Sequence, residues 1–171
     1  VYFTEDTNPE NKKNFHLVLL AKNHNGYKNL LRINHESYKY QVNRYMGKKT
    51  NRISWETLQK FNEDVFALTA CSNGLIAKYL ITEQDENTAV NHMMKLKSIF
   101  NDRFYLELQP HKLFDISKRT GKEVNQPKLN EQLVKFSRDL DIPYVITCDS
   151  HYKDKAAAKA HDMLIAIRDH E

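Results

Sequence analysis

The stretch Ile142-Pro143-Tyr144-Val145-Ile146-Thr147-Cys148-Asp149-Ser150-His151 carries the most informative chemistry of the chain. Its first six residues are typical of a buried strand, in which an early proline is tolerated. Asp149 and His151 follow at once, and an extended chain points both side chains the same way, with Cα atoms roughly 6–7 Å apart. A carboxylate and an imidazole so placed suit zinc, manganese or iron. The alternative is that Asp149 caps a turn and His151 is polar surface; the position at a strand's carboxyl end favours metal ligands.

Strands and helices alternate along the whole chain, which favours an α/β fold with parallel strands in a single domain, residues 1–171. This pattern does not separate an open sheet from a barrel. Phe104, Leu106 and Leu108 alternate with Tyr105, Glu107 and Gln109, as in a half-buried strand. The other predicted strands are 15–20, 65–70 and 142–147, and the predicted loops are 44–51 and 110–127. The predicted helices are 27–42, 54–61, 75–80, 88–100, 129–140 and 160–167. In the first of them the inward face would consist of Tyr27, Leu31, Tyr38 and Val42; in the second, Ser54 would be the cap and Trp55 and Leu58 would face inward.

Two further residues qualify as ligands by type. Cys71 directly follows the predicted strand 65–70, at a position equivalent to that of Asp149. Cysteine is also a common small core residue, and sequence chemistry alone favours that role for Cys71. His16 stands at the beginning of its apolar run, whereas parallel-strand geometry would put a ligand at the other end. A Cys71/His151 nucleophile pair is a further alternative, although no separate group is apparent that would orient the base.

Composition and motifs exclude some classes of protein function but do not identify one. A net charge of +4, from 26 basic and 22 acidic residues spread along the chain, permits a polyanionic partner but shows no dense basic stripe. Two cysteines give no disulfide framework, which together with the lack of a leader favours a reducing, cytoplasmic setting. No apolar stretch is long enough to cross a membrane. Phosphate-loop, dinucleotide-binding, serine-hydrolase and zinc-protease motifs are absent.

Four blocks in order resemble the polymerase and histidinol phosphatase (PHP) domain of bacterial DNA polymerase III alpha subunits. The first is His16-Leu17-Val18-Leu19-Leu20-Ala21-Lys22-Asn23 with Gly26-Tyr27-Lys28-Asn29-Leu30. The others are 67–74 (Ala-Leu-Thr-Ala-Cys-Ser-Asn-Gly), 104–109 (Phe-Tyr-Leu-Glu-Leu-Gln) and 142–152, which continues into 160–164 (Ala-His-Asp-Met-Leu). The resemblance covers nearly all of the chain after Phe15.

The resemblance implies a distorted (β/α)7-type PHP barrel that holds up to three divalent metal ions, zinc or manganese foremost. It places His16, Cys71, Asp149 and His151 on metal-ligand positions, with Asp149 and His151 as the catalytic pair. The implied activity of a complete domain is phosphoester hydrolysis as a 3′→5′ exonuclease, within a DNA-directed DNA polymerase. The implied partners are DNA, the rest of the polymerase chain and other replisome subunits, with no membrane.

Two departures from the family pattern qualify this expectation. The family's opening HxH pair, Asp-His turn and glutamate should precede Val1, so we expect a partial barrel lacking its first strands and a segment that alone holds only part of the metal cluster. Gly74-Leu75 stands where the family often has Gly-Glu. Two other functions remain open: an inactive structural and partner-binding module of the polymerase, and a free-standing phosphatase of small phosphate monoesters. The block 26–30 favours the polymerase branch.

Overall fold

The structure is a computed structural model, and it describes residues 1–43, 49–110, 114–116, 123–148 and 150–169. The strands are β1 (Tyr2–Phe3), β2 (Phe15–His16), β3 (Val18–Ala21), β4 (Val42–Asn43), β5 (Lys49–Thr50), β6 (Val65–Leu68), β7 (Phe104–Leu108), β8 (Phe114–Ile116), β9 (Glu123–Asn125) and β10 (Tyr144–Ile146). The helices are α1 (His24–Ser37), α2 (Trp55–Phe61), α3 (Leu75–Ala77, continued by a π-helix, Lys78–Glu83), α4 (Glu86–Phe100), α5 (Gln126–Asp139) and α6 (Ala158–Asp169).

The central sheet has four strands in the order β10-β7-β6-β3. β6, β7 and β10 are parallel, which confirms an α/β fold with a sheet rich in parallel strands. β3 runs antiparallel to β6, with Val18 opposite Leu68 and Ala21 opposite Val65, so the expectation of parallel strands throughout is wrong at this edge. The described strands otherwise pair two by two, β1 with β2, β4 with β5 and β8 with β9. A closed barrel therefore stays a prediction.

Helices α1, α4 and α5 pack on this sheet and enclose the core. α1 contacts β3 and β6, α4 contacts β6 and β7, and α5 contacts β7. The core is apolar, and its fully buried members include Ile33, Leu58, Met93, Phe100, Phe104, Leu106 and Leu129. The apolar residues of α5 recur at helical spacing, and Leu129, Leu133 and Phe136 are buried on one face of the helix, as the sequence predicts.

Side-chain caps explain where several helices begin. Ser54 accepts from the backbone N–H of Thr57, and the two residues form a reciprocal capping box at the start of α2. Asp85 accepts in the same way at α4, and Asn125 does so at α5. The start of α2 is thus confirmed, while α4 and α5 begin two or three residues earlier than the apolar spacing indicates.

The inward face predicted for the first helix is wrong. Tyr27 and Leu31 are each 53% exposed, and α1 instead buries Gly26, Asn29, Ile33 and Ser37. The reason is close packing on the backbone, because a Cβ built on Gly26 would lie 2.0 Å from the carbonyl oxygen of Asp64. Gly26 therefore lets the helix approach this carbonyl closely, and in that orientation Ile33 faces the core while Tyr27 and Leu31 face outward.

Two further segments differ from the sequence expectation. Within 110–127 the residues 114–116 and 123–125 pair as a hairpin, while 111–113 and 117–122 lie outside the described residues. β10 is an edge strand with Tyr144 and Ile146 exposed, so the interpretation of 142–147 as buried throughout is wrong; within it, Ile142 is buried. Its described pairing is to β7 alone, which covers only one side. In the described ranges, no helix is long and apolar enough to cross a bilayer.

Candidate metal centre

The carboxyl ends of β6, β7 and β10 form one rim of the sheet, because these strands are parallel and adjacent. β3 runs the other way, so the beginning of β3 lies at this same rim. His16 just precedes β3 and forms a bridge with Gly74, and its backbone N–H donates to the carbonyl of Asn73 at 2.9 Å. The sequence predicts His16 at the wrong end of its strand for a ligand only if that strand is parallel to the others. Since β3 is antiparallel, its beginning lies at the rim, and this objection to His16 as a ligand no longer applies.

His16 and Cys71 meet at this rim. The Nδ1 atom of His16 is 3.4 Å from the Sγ atom of Cys71, and both side chains are partly exposed. The ring of Tyr2 packs edge-on against His16, with centroids 5.2 Å apart. Neither Cys71 nor Cys148 forms a disulfide.

The turn that carries Cys71 is tight. The N–H of Gly74 donates to the carbonyl of Cys71 at 2.8 Å. A Cβ on Gly74 would lie 2.2 Å from the carbonyl oxygen of Thr69 and 3.0 Å from that of Cys71. Ala70 has a positive φ of 63°, an unusual conformation for a residue other than glycine. The turn is thus held in one compact arrangement, with Cys71 facing His16.

The spacing of this pair fits two kinds of chemistry. Zinc bonds of about 2.1 Å to nitrogen and about 2.3 Å to sulfur at a tetrahedral angle separate the two ligand atoms by about 3.6 Å. The observed 3.4 Å is close to that separation. The same distance also suits a direct thiol–imidazole hydrogen bond. The donor types and their spacing therefore fit a divalent ion without requiring the turn to move.

The pair opens onto a cavity of about 260 Å³. Its lining includes Glu107 and Gln109, which the alternating pattern placed on the solvent side of β7, yet both are buried, at 5% and 3% exposure. Glu107 is the site residue that sequence reasoning missed. The available signal was a carboxylate between Leu106 and Leu108 in a strand predicted to belong to a parallel sheet, because such sheets are usually covered on both faces.

The other two predicted ligands, Asp149 and His151, are not placed beside this pair within the described residues. Asp149 lies outside the described residues. His151 is exposed, and its ring packs edge-on against His161 at 6.1 Å between centroids, while Tyr152 lies 5.2 Å from the same His161. Within the ranges that the structure describes, no group of three or more His, Cys, Asp or Glu side chains is close enough to hold a metal ion. The structure thus brings together His16 and Cys71, and does not bring His151 to them.

Comparison of the sequence with known proteins identifies the family of this chain. A family model described as "PHP domain" matches residues 1–111. DNA polymerase III subunit alpha of Borreliella burgdorferi is 36% identical over 91% of this chain, and that of Aquifex aeolicus is 32% identical over 96%. The Thermus aquaticus subunit is 33% identical over 90%. The chain spans 12%, 13% and 11% of the length of these three relatives, respectively. With the matched family model covering well over half of its residues, the chain belongs to the PHP domain family and is similar in sequence to bacterial DNA polymerase III alpha subunits.

Proposed function

We propose that residues 1–171 belong to a single PHP domain of a bacterial replicative DNA polymerase, a distorted (β/α)7-type barrel that hydrolyses phosphodiesters at DNA 3′ ends. The observation that carries this proposal is the 3.4 Å pair of His16 and Cys71 at the strand rim. Similarity to polymerase alpha subunits over about nine-tenths of the chain supports the polymerase context.

The rim also explains how Asp149 and His151 would join the pair. β10 is parallel to β7, and the N–H of Thr147 donates to the carbonyl of Leu108 at 3.0 Å, so the chain leaves β10 at the rim that holds Cys71. Asp149 follows two residues later. His151 would have to turn from His161 toward the cavity, which is a rearrangement of an exposed side chain.

In the complete site, zinc or manganese ions, up to three, would polarise phosphate oxygens and lower the pKa of a bound water. His16 and His151 would bind through neutral imidazole nitrogens, Cys71 as a thiolate, and Asp149 through carboxylate oxygens. The adjoining cavity of about 260 Å³ leaves room for part of a nucleotide beside the pair. The partners would be DNA, the rest of the polymerase and other replisome subunits, in the cytoplasm.

The test is 3′→5′ degradation of end-labelled DNA by the protein in its complete natural form. We expect Asp149→Asn and His151→Ala each to lower the rate at least about 100-fold, the loss typical of a missing catalytic group. Asp154→Asn is the matched control, because Asp154 is exposed and caps only the following turn through the N–H of Ala157. Full activity of Asp149→Asn would refute the assignment.

A second candidate is a structural module that binds other parts of the polymerase. The observation that favours it is the apolar surface of α6, on which Met163, Leu164 and Ile167 are 61%, 65% and 69% exposed. Surfaces of this kind mark contacts with other protein. Loss of subunit association in Leu164→Glu, with hydrolysis absent from the wild type, would select this function over the enzymatic one.

A further inference from the structure

Glu107 occupies a central position beneath the candidate site. It lies in β7, opposite Val145 of β10, and its side chain is buried at 5% exposure. It lines the same cavity as His16 and Cys71. A buried carboxylate is costly unless its oxygens accept hydrogen bonds, so the identity of its donors indicates its role.

The donors of Glu107 come from all three parallel strands or their ends. Oε2 accepts from the N–H of Ala70, just after β6, at 3.1 Å. Oε1 accepts from the hydroxyl of Thr147, just after β10, at 2.5 Å, and from Nε2 of Gln109 at 3.4 Å. A reciprocal bond runs from the N–H of Glu107 to Oγ1 of Thr69 at 2.8 Å. The carboxylate therefore ties the Cys71 turn to the segment that leads to Asp149.

Ala70, which donates to Oε2 of Glu107, also has a strained backbone conformation. Ala70 holds a φ of 63°, a left-handed conformation that is unfavourable for a residue with a Cβ and persists only where the surroundings fix it. Its N–H points at Glu107 and its carbonyl leads directly into Cys71. A carboxylate that accepts from this N–H thus stabilises the conformation that presents the thiol to His16.

We propose that Glu107 is a positioning residue, which sets the Cys71 turn and the Thr147 end of β10 in the relation that a shared metal site requires. Both of its oxygens already accept hydrogen bonds, which suits holding the ligands in place and leaves metal binding to His16 and Cys71. This inference rests on the proposed function, and it names the part of the chain that brings the two halves of that site together.

The test compares Glu107→Gln with Asn29→Asp in the protein in its complete natural form. Both are isosteric amide–carboxylate exchanges at buried positions, and Nδ2 of Asn29 donates to the carbonyl oxygen of Glu63 at 2.8 Å, at the opposite end of β6. Two quantities are measured: amide hydrogen exchange of residues 70–72 without metal, and Co²⁺ affinity from the charge-transfer absorption of a thiolate-bound ion. We expect Glu107→Gln to speed the exchange and to weaken Co²⁺ binding about 10–100-fold, the effect typical of residues that orient metal ligands.

Asn29→Asp should leave both quantities at the wild-type level, and Thr147→Val should weaken Co²⁺ binding in the same direction as Glu107→Gln. Unchanged exchange and affinity in Glu107→Gln would overturn the inference, as would an equal loss of Co²⁺ affinity in Asn29→Asp. If Glu107→Gln does not fold, Thr147→Val decides by the same two measurements. Absence of the thiolate band in the wild type would instead refute the proposed metal function, while hydrogen exchange would still decide whether Glu107 holds the turn.

Discussion

Gly74→Ala should damage the candidate site through a backbone clash. The added Cβ would lie 2.2 Å from the carbonyl oxygen of Thr69, roughly 1 Å inside ordinary contact. Thr69 cannot retreat freely, because its N–H donates to the carbonyl of Tyr105 at 3.2 Å. We therefore expect the turn to shift and the free energy of unfolding to fall by about 1–3 kcal/mol, the usual cost of overpacking. At about 2–4 °C per kcal/mol, the Tm would fall by about 2–12 °C.

The same shift should separate His16 from Cys71. Residue 74 bridges to His16, and the carbonyl of Asn73 accepts from the His16 N–H, so the turn and the histidine are connected. We expect Co²⁺ affinity, read from thiolate-to-metal absorption, to fall at least about 10-fold.

Gly26→Ala is the matched control, because its Cβ would lie 2.0 Å from the carbonyl oxygen of Asp64. Gly26 packs near Ala21, at the opposite end of β3 from His16. Urea unfolding should show comparable losses of stability for the two variants, with Co²⁺ affinity kept in Gly26→Ala. Equal affinities in the two variants would refute the reasoning that Gly74 shapes the site.

Three further predictions concern the scaffold. Arg52 is fully buried and donates to backbone carbonyls, including that of Tyr40 at 3.0 Å, so Arg52→Met should lower the urea-unfolding free energy by at least about 3 kcal/mol; a loss below 1 kcal/mol would contradict this. Phe136→Ala should cost about 3–5 kcal/mol in the same assay, since Phe136 is only 4% exposed. Burial, followed by a 2.9 Å hydrogen bond to Glu5, raises the pKa of Tyr79 to about 12. The stability that this shift contributes is therefore present below about pH 10 and lost as the pH rises through about 12. Difference absorbance against Tyr79→Phe should show the high pKa, and Glu5→Gln should lower it; an unchanged value in Glu5→Gln would contradict the role of Glu5.

The sequence allowed good prediction where the signal was local. Ser54 as a cap and the apolar spacing of Leu129, Leu133 and Phe136 predicted α2 and α5, because capping and helical periodicity depend on residues a few positions apart. The face of α1 failed because local apolarity identified Tyr27, whereas the packing is set by a distant carbonyl that only a glycine can approach.

The candidate site shows the same division. Cys71 at a strand end is visible in the sequence, but the contact with His16 depends on the direction of β3, a pairing between segments about fifty residues apart. Glu107 was missed because alternation suggests an exposed face, whereas donors from Ala70 and Thr147, which are distant in sequence, surround the carboxylate in a buried position. Such information lies in the topology of the sheet and not in any short window of residues.

The antiparallel course of β3 also means that the two residues paired at the rim, His16 and Cys71, both come early in the chain. Both strands that bring His16 to Cys71, β3 and β6, precede β7 and its Glu107 in the chain. His151 follows Cys71 by 80 positions, and at 5–20 residues per second it emerges from the ribosome roughly 4–16 s later. A nascent chain would thus contain His16 and Cys71 before it contains the Glu107 carboxylate, which holds the Cys71 turn, or His151. Whether a metal ion or an oxidant reaches His16 and Cys71 first therefore depends on the rate of translation as well as on affinity.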